Sequence, residues 1–358
     1  MACEGYQALP VRTGYEQVIA HRTSDLFAYS ARKPGKVISK TPEGIQIEYE
    51  DGEVKGFELG IRYGSSEGQT FPHEVVSNLE VGQEVKPGDI VCYNTGFFEQ
   101  DYLNPSNVIW KAGILARTVL MEAPITLEDS SAISKRVSEL LTTKVTKIRR
   151  IVLNFDQNIH DLVKQGQAVD AEDILCVIEE GLSANLSIYD EESLDTLRNL
   201  SAQTPLAKSK GVVQRIEVFY HGDKDDMSDS LRALANSSDR QLAKRYQAAG
   251  KKPFTGSVDA GYRIEGEPLA LDTLVINIYI TADVPAGIGD KGVFGNQMKT
   301  VFGEVLENEI KTEDGVVIDA IFGKKSVDDR IVNSVDVIGT TTTLLEVLTK
   351  RALAAYDS

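Results

Sequence analysis

Leu274-Val275-Ile276-Asn277-Ile278-Tyr279-Ile280, then Gly287-Ile288-Gly289-Asp290-Lys291-Gly292-Val293-Phe294-Gly295 and, eight residues beyond that lysine, Lys299, form the stretch on which the reading of this chain turns. The apolar run has the length and β-branched content of a buried strand, so strand structure is expected over 272–282. Glycines in the second run allow sharp turns and close approach of backbone to a ligand. Two ammonium groups on long stems in one glycine-punctuated segment suit the oxygens of a polyphosphate. The same spacing also suits a solvated surface loop, and spacing alone does not separate the two.

Working outward, the chain reads as mainly β with α elements, an α+β protein. Residues 11–95 carry short alternating runs (Gly35 to Ser39, Ile45 to Tyr49, Val54 to Leu59) broken by Pro34-Gly35, Pro42-Glu43-Gly44 and Asp51-Gly52. An Asp-Gly between alternating runs predicts a hairpin. The pattern Gly-Gln-x-Val-x-x-x-Asp-Ile-apolar occurs at Gly82 to Val91 and again at Gly166 to Leu175, which predicts one strand–turn–strand hook used twice. Further strands are expected at Gly211 to Tyr220 and, after the turn Glu313-Asp314-Gly315, at Val316 to Phe322. Residues 96–110 read as an irregular aromatic loop, and His221 to Asp229 as a polar turn. Helical spacing of Ile133, Val137, Leu140 and Leu141 behind Ser130-Ser131 predicts a helix over 130–142. Other helices are expected over about 230–249, ended by Lys251-Lys252-Pro253, and over about 342–355.

With 358 residues, 42% hydrophobic and 26% charged, the chain has the composition of a globular protein of two or three domains. No apolar stretch approaches the roughly 18 residues of a membrane span. The N-terminus lacks the charged and apolar regions of a signal peptide. Cys3, Cys92 and Cys176 are far apart and form no CxxC pair, which suits buried thiols in a reducing compartment. His21, His73, His160 and His221 are equally scattered, so a histidine-built metal site has little support. A net charge of −16 argues against a free-standing nucleic-acid binder. Two basic patches run against that balance: Lys144, Lys147, Arg149 and Arg150, and then Lys208, Lys210 and Arg215.

Two further segments could carry chemistry. Glu128-Asp129, entering the expected helix, suits the positive end of a helix dipole, or an outer ligand position for a hard cation such as Mg²⁺. Arg330 could fork onto a phosphate, or pair with neighbouring Asp328 or Asp329.

Taken in order, these segments resemble the catalytic part of the β subunit, the second-largest subunit, of multisubunit DNA-dependent RNA polymerases. The collinear matches are Leu9-Pro10-Val11-Arg12-Thr13-Gly14-Tyr15-Glu16, Ala31-Arg32-Lys33-Pro34-Gly35-Lys36-Val37, the hook at 81–91, Glu128-Asp129-Ser130 and Gly211-Val212-Val213-Gln214-Arg215-Ile216. They continue through Gly289-Asp290-Lys291 with Lys299, Glu313-Asp314-Gly315-Val316-Val317-Ile318-Asp319, and Arg330. Together they run from about residue 9 to 346.

The resemblance implies a double-psi β-barrel plus a barrel-sandwich or flap module. Its parts would be 1–145 (first part of the barrel and the sandwich region), 146–270 (a flap-like domain with a helical insertion at 228–250) and 271–358 (the rest of the barrel, the lysine segment and a C-terminal helix). It also implies nucleotidyl transfer in transcription, with Lys291, Lys299 and Arg330 on triphosphate and RNA 3′ end, and Glu128 and Asp129 near the nucleotide-borne metal. Mg²⁺ would be held mainly by an Asp-Phe-Asp-Gly-Asp loop on a β′-like partner, since this chain has no such motif. Other implied partners are an N-terminal β-like fragment, a promoter-specificity factor, DNA template, RNA and nucleoside triphosphates, with no membrane. A split β of this kind is similar to those of large-genome bacteriophages, which implies the cytoplasm of a bacterial host, or the virion. Against this stand a non-catalytic scaffold or binding module of barrel and sandwich units, which the repeated hooks also suit, and a stand-alone phosphate-handling enzyme. The latter lacks a carboxylate cluster, a Walker-type loop or a nucleophile triad.

Overall fold

A computed structural model of the chain describes residues 1–180, 202–295, 297–330 and 333–357. It is mixed α+β, with its strands in mostly antiparallel sheets. The described helices of at least six residues are α1 (Lys135–Leu140), α2 (Asp229–Ala248), α3 (Lys324–Arg330) and α4 (Asn333–Tyr356). Among the described residues no helix is long and apolar enough to cross a membrane.

The chain divides into two compact units that interleave in sequence: residues 1–31, 88–143 and 284–358 form the first, and 32–87 with 144–283 the second. The expected consecutive parts, 1–145, 146–270 and 271–358, follow different boundaries. Residues 32–87 cluster with 144–283 because α2 packs across strands Gly35–Thr41, Gly44–Tyr49 and Val54–Glu58. Within the expected flap-like part, residues 181–201 lie outside the described residues.

In the second unit, the Asp51-Gly52 turn joins Gly44–Tyr49 to Val54–Glu58, as the local sequence predicts. The centre of the unit is the antiparallel pair Gly211–His221 and Thr273–Val284. Leu274, Ile276, Ile278 and Ile280 line one face by the two-residue period of a strand and pack with Val213, Val218, Leu231 and Ala235. Val275 and Asn277 on the other face are buried too, which is why this run is continuously apolar apart from the asparagine.

Helix α2 is capped by Ser228, whose side chain accepts from Leu231 N–H. Leu231 and Ala235 belong to the central core, and Leu242 is buried one face-repeat further along. At the C-terminal end, Gln46 Nε2 donates to the carbonyls of Gln247 (3.0 Å) and Ala248 (3.2 Å). A Cβ on Gly56 would lie 2.0 Å from Ala249 O, so only glycine lets strand and helix end meet. The expected helical insertion at 228–250 is therefore a wall of the core and no appendage.

The repeated hook is real at the level of hydrogen bonds. Gln83 Oε1 accepts from Glu80 N–H at 3.0 Å, and Gln167 Oε1 accepts from Lys164 N–H at 3.0 Å. Gly82 N–H and Gly166 N–H donate to Val37 O (2.8 Å) and Val213 O (2.7 Å), and those two valines donate back to Gln83 O and Gln167 O, both at 2.9 Å. One clasp, used twice to pin a loop to a strand, accounts for the repeat.

The first unit holds a five-stranded mixed sheet in the order Thr118–Leu120, Ala320–Phe322, Ser130–Ser134, Met298–Leu306, Lys291–Phe294. The first two strands pair in parallel, as do Ser130–Ser134 and Met298–Leu306. Several local expectations are corrected here. Residues 130–134 form a strand, and only 135–140 are helical, capped by Ser134. Ser131, Ala132 and Ile133 are consecutively buried, the signature of a strand covered on both faces. The stretch expected as a loop over 96–110 contains the hairpin Phe98–Gln100 and Val108–Trp110. The strand expected over 316–322 is split into Val317–Ile318 and Ala320–Phe322. The last helix begins at Asn333, well ahead of Thr342.

Candidate phosphate-facing site

The lysine segment is an edge hairpin and not a loop. Asp290 accepts from Gly287 N–H at 2.8 Å, closing the entry turn, and its carbonyl accepts from Phe302 N–H at 2.8 Å. Strand Lys291–Phe294 then pairs antiparallel with Met298–Leu306, in the register Lys291↔Val301, Gly292↔Thr300, Val293↔Lys299, Phe294↔Met298. Directly opposite residues share a face of the sheet. Lys291, Val293, Lys299 and Val301 therefore point to one side, and all four are exposed. Gly292, Phe294, Met298, Thr300 and Phe302 point to the other, where Met298, Thr300 and Phe302 are buried.

Aromatic packing holds the hidden face. A Cβ on Gly292 would lie 2.5 Å from the Phe302 ring, so the glycine makes room for that ring to close the hairpin. Phe294 packs on Phe322 with ring centroids 5.1 Å apart. Lys291 and Lys299 are diagonal partners, about 7–8 Å apart at the backbone. Among the described residues no carboxylate is paired with either ammonium group.

The neighbouring strand brings in the acidic pair. Ser130 lies beside Val301, so Lys291, Val301 and Ser130 stand in a row across three strands. Asp129 O accepts from Val301 N–H (2.9 Å) and from Thr300 Oγ1 (2.8 Å), and the Thr300 hydroxyl lies 2.8 Å from Ser131 Oγ. Glu128 is left-handed at φ 56°, and its carbonyl accepts from Ser326 Oγ at 2.5 Å. Both acidic side chains are exposed in a turn that leads into a strand, so no helix dipole accounts for them.

Arg330, the last residue of α3, closes the arrangement. Its Nη1 donates to Lys299 O at 3.0 Å, and its Nη2 is paired with Asp129 Oδ1. Asp328 and Asp329, the partners its sequence neighbourhood offered, are taken by Lys324 and Lys325 at i,i+4. The structure thus gathers Lys299, Arg330 and Asp129 into one cluster, with Lys291 diagonal to Lys299 and Glu128 adjoining Asp129. Elsewhere in the same unit, the buried Asp319 carboxylate accepts from Arg136 Nη1 (2.8 Å) and Arg117 N–H (2.9 Å). That pair escaped the sequence reading, because nothing local links Arg136 to a carboxylate 183 positions away.

Among the described residues no group of three or more His, Cys, Asp or Glu side chains is placed to hold a metal ion. Glu128 and Asp129 supply two exposed carboxylates, one already neutralised by Arg330, which is too few to cage Mg²⁺. What the cluster can do is present cations to an anion. The patch expected from Lys208, Lys210 and Arg215 does not form: both lysines are exposed, whereas the Arg215 side chain turns inward and bonds Ile61 O. A scan against protein-family models gives no match, and a search of curated proteins gives none either.

Proposed function

We propose that this chain is a β-like subunit of a multisubunit DNA-dependent RNA polymerase, lending phosphate-binding lysines to a nucleotidyl-transfer site shared with a second subunit. The observation that carries the proposal is the exposed hairpin face on which Lys291 and Lys299 stand diagonally, unpaired with any described carboxylate, beside the Arg330–Asp129 pair. The collinear sequence resemblance, which includes these same residues, also supports it. In this reading the mixed sheet of the first unit belongs to a double-psi barrel, and its sequence-distant parallel pairings support that assignment.

In the proposed reaction an RNA 3′-hydroxyl oxygen bonds to the α-phosphorus of a nucleoside triphosphate, and the bond to the α–β bridging oxygen breaks, releasing pyrophosphate. Mg²⁺, which would be held by the partner's Asp-Phe-Asp-Gly-Asp loop, would align the attacking and leaving oxygens. Lys291 and Lys299 offset the negative charge that grows on the leaving pyrophosphate, as point charges fixed before the reaction begins. Arg330, steadied by Asp129, keeps spare guanidinium donors for the triphosphate. The exposed Val293 and Val301, interleaved with the lysines, suit burial under a partner chain. Other proposed partners are an N-terminal β-like fragment, a promoter-specificity factor, DNA and RNA, in a bacteriophage-infected host.

Co-purification tests the assignment. Affinity capture of the full chain from its native source is expected to bring down a polypeptide bearing Asp-Phe-Asp-Gly-Asp. A monomer with no such companion would support a scaffold module instead.

A further inference from the structure

In the five-stranded sheet of the first unit, Lys291–Phe294 is the outer strand and pairs with Met298–Leu306. How firmly the exposed lysines are placed therefore depends on how Met298–Leu306 is fastened to the next strand, Ser130–Ser134. These two run parallel, with Ser130 beside Val301 and Ser131 beside Phe302, and the register shifts before Ala132 meets Glu304. Such a shift disrupts the ladder locally, so other bonds must hold the strands there.

Thr300 supplies the fastening. It is 2% exposed, and it points inward between Lys299 and Val301, which point out. Its Oγ1 donates to Asp129 O at 2.8 Å and lies 2.8 Å from Oγ of the fully buried Ser131. Val301 N–H donates to the same Asp129 O at 2.9 Å. Asp129 returns to Lys299 by a second route, since its carboxylate is paired with Arg330 Nη2 and Arg330 Nη1 donates to Lys299 O at 3.0 Å. Lys299 thus sits in a closed ring, held at its own carbonyl on one side and through the Thr300 hydroxyl on the other. Packing does not explain that hydroxyl. Valine has the same branched shape and suits a buried strand equally well. A buried hydroxyl costs free energy unless it is bonded, so what Thr300 adds over valine is its bonds.

We infer that Thr300 is a positioning residue for Lys299, fixing the root of that side chain so that its ammonium group is already aimed at the triphosphate when the reaction begins. The inference rests on the polymerase reading proposed above. Thr300 touches no reacting atom and acts only through Lys299, by preorganisation. A lysine stem keeps freedom beyond its root, so loss of the hydroxyl costs less than loss of the ammonium group itself.

Single-nucleotide addition by the complex reconstituted from this chain and its captured partners tests it, with Thr300→Val, Thr300→Ser, Lys299→Ala and the double variant Thr300→Val/Lys299→Ala. Thr300→Val is expected to slow addition about tenfold, the size of one hydrogen bond, and Thr300→Ser, which keeps the hydroxyl, to stay within about twofold of the parent. Lys299→Ala should slow addition about a hundredfold. In the double variant, Thr300→Val should add less than about a further twofold, because the side chain it positions is gone, whereas a purely structural role would multiply the two losses. On the full chain alone, hydrogen exchange at the Val301 amide should be at least about tenfold faster in Thr300→Val than in the parent, and Thr300→Ser should restore it. Addition at the parental rate by Thr300→Val beside a slow Lys299→Ala, a double variant slowed by the full product, or unchanged Val301 exchange would each overturn the inference. Addition at the parental rate by Lys299→Ala would instead sink the polymerase reading, and the role of Thr300 with it.

Discussion

Two lysines eight residues apart could lie anywhere on a loop, but the register Val293↔Lys299 puts them on one face, because their spacing is even and the chain reverses between them. That consequence was legible once the segment was read as a hairpin, and its glycines argued instead for a loop. Gly292 shows why: it is there to admit the Phe302 ring, a contact only three dimensions reveal. The Arg330–Asp129 pair was hidden for a similar reason, since 201 positions separate its members and nearer aspartates looked equally suitable. Glu58 permits a prediction on single-residue electrostatics. Burial alone would raise its carboxyl, but Lys251, with Arg62 and Arg245, holds it below the usual carboxylate range. A carboxylate with a depressed folded pKa contributes stability that is present above its unfolded pKa of about 4.3, and loses it as pH falls through the folded value. Urea midpoints measured from pH 6 downward should therefore decline less steeply for Glu58→Gln than for the parent chain. Identical slopes would show that Glu58 is not held in this way.

Elements with strong local periodicity came through the sequence well. Strand 211–221, strand 273–284 and helix 229–248 each fall within a few residues of their expected limits, because apolar spacing, caps and turns agree there. Residues 130–134 did not, because a strand buried on both faces lacks alternation and its serines resemble helix caps. Helix α2 taught a different lesson: its existence was legible, its role was not. Leu231 and Ala235 in the core, and Ala249 against Gly56, make it structural. Excision of 228–250 should accordingly abolish cooperative folding of the second unit, where a dispensable insertion would leave it intact. A milder probe is Gly56→Ala, expected to destabilise by about 1–3 kcal/mol through overpacking against Ala249 O. Thermal unfolding reads this directly, and an unchanged midpoint would mean the helix end yields without cost.

At the scale of the molecule, fold class could be read from the residues, whereas the interleaving of two units could not, since it depends on pairings between segments far apart in sequence. Strand Gln69–Val76 meets Thr143–Asn154, and α2 crosses the 35–58 sheet, so 144–283 alone keeps its central core but leaves that helix face uncovered. A fragment of 144–283 should unfold at lower urea than the same fragment fused by a short linker to 32–87. Equal urea midpoints for the two would contradict the division. The proposed role of the lysine face is one within an assembly, since among the described residues this chain supplies cations and no metal cage. Single-nucleotide addition on a preformed RNA–DNA scaffold, with this chain reconstituted alongside its captured partners, tests it most directly. Lys291→Ala is predicted to assemble normally and to slow addition by about a hundredfold, the roughly 3 kcal/mol of one preorganised electrostatic contact. Addition at the parental rate by the assembled Lys291→Ala complex would contradict the account.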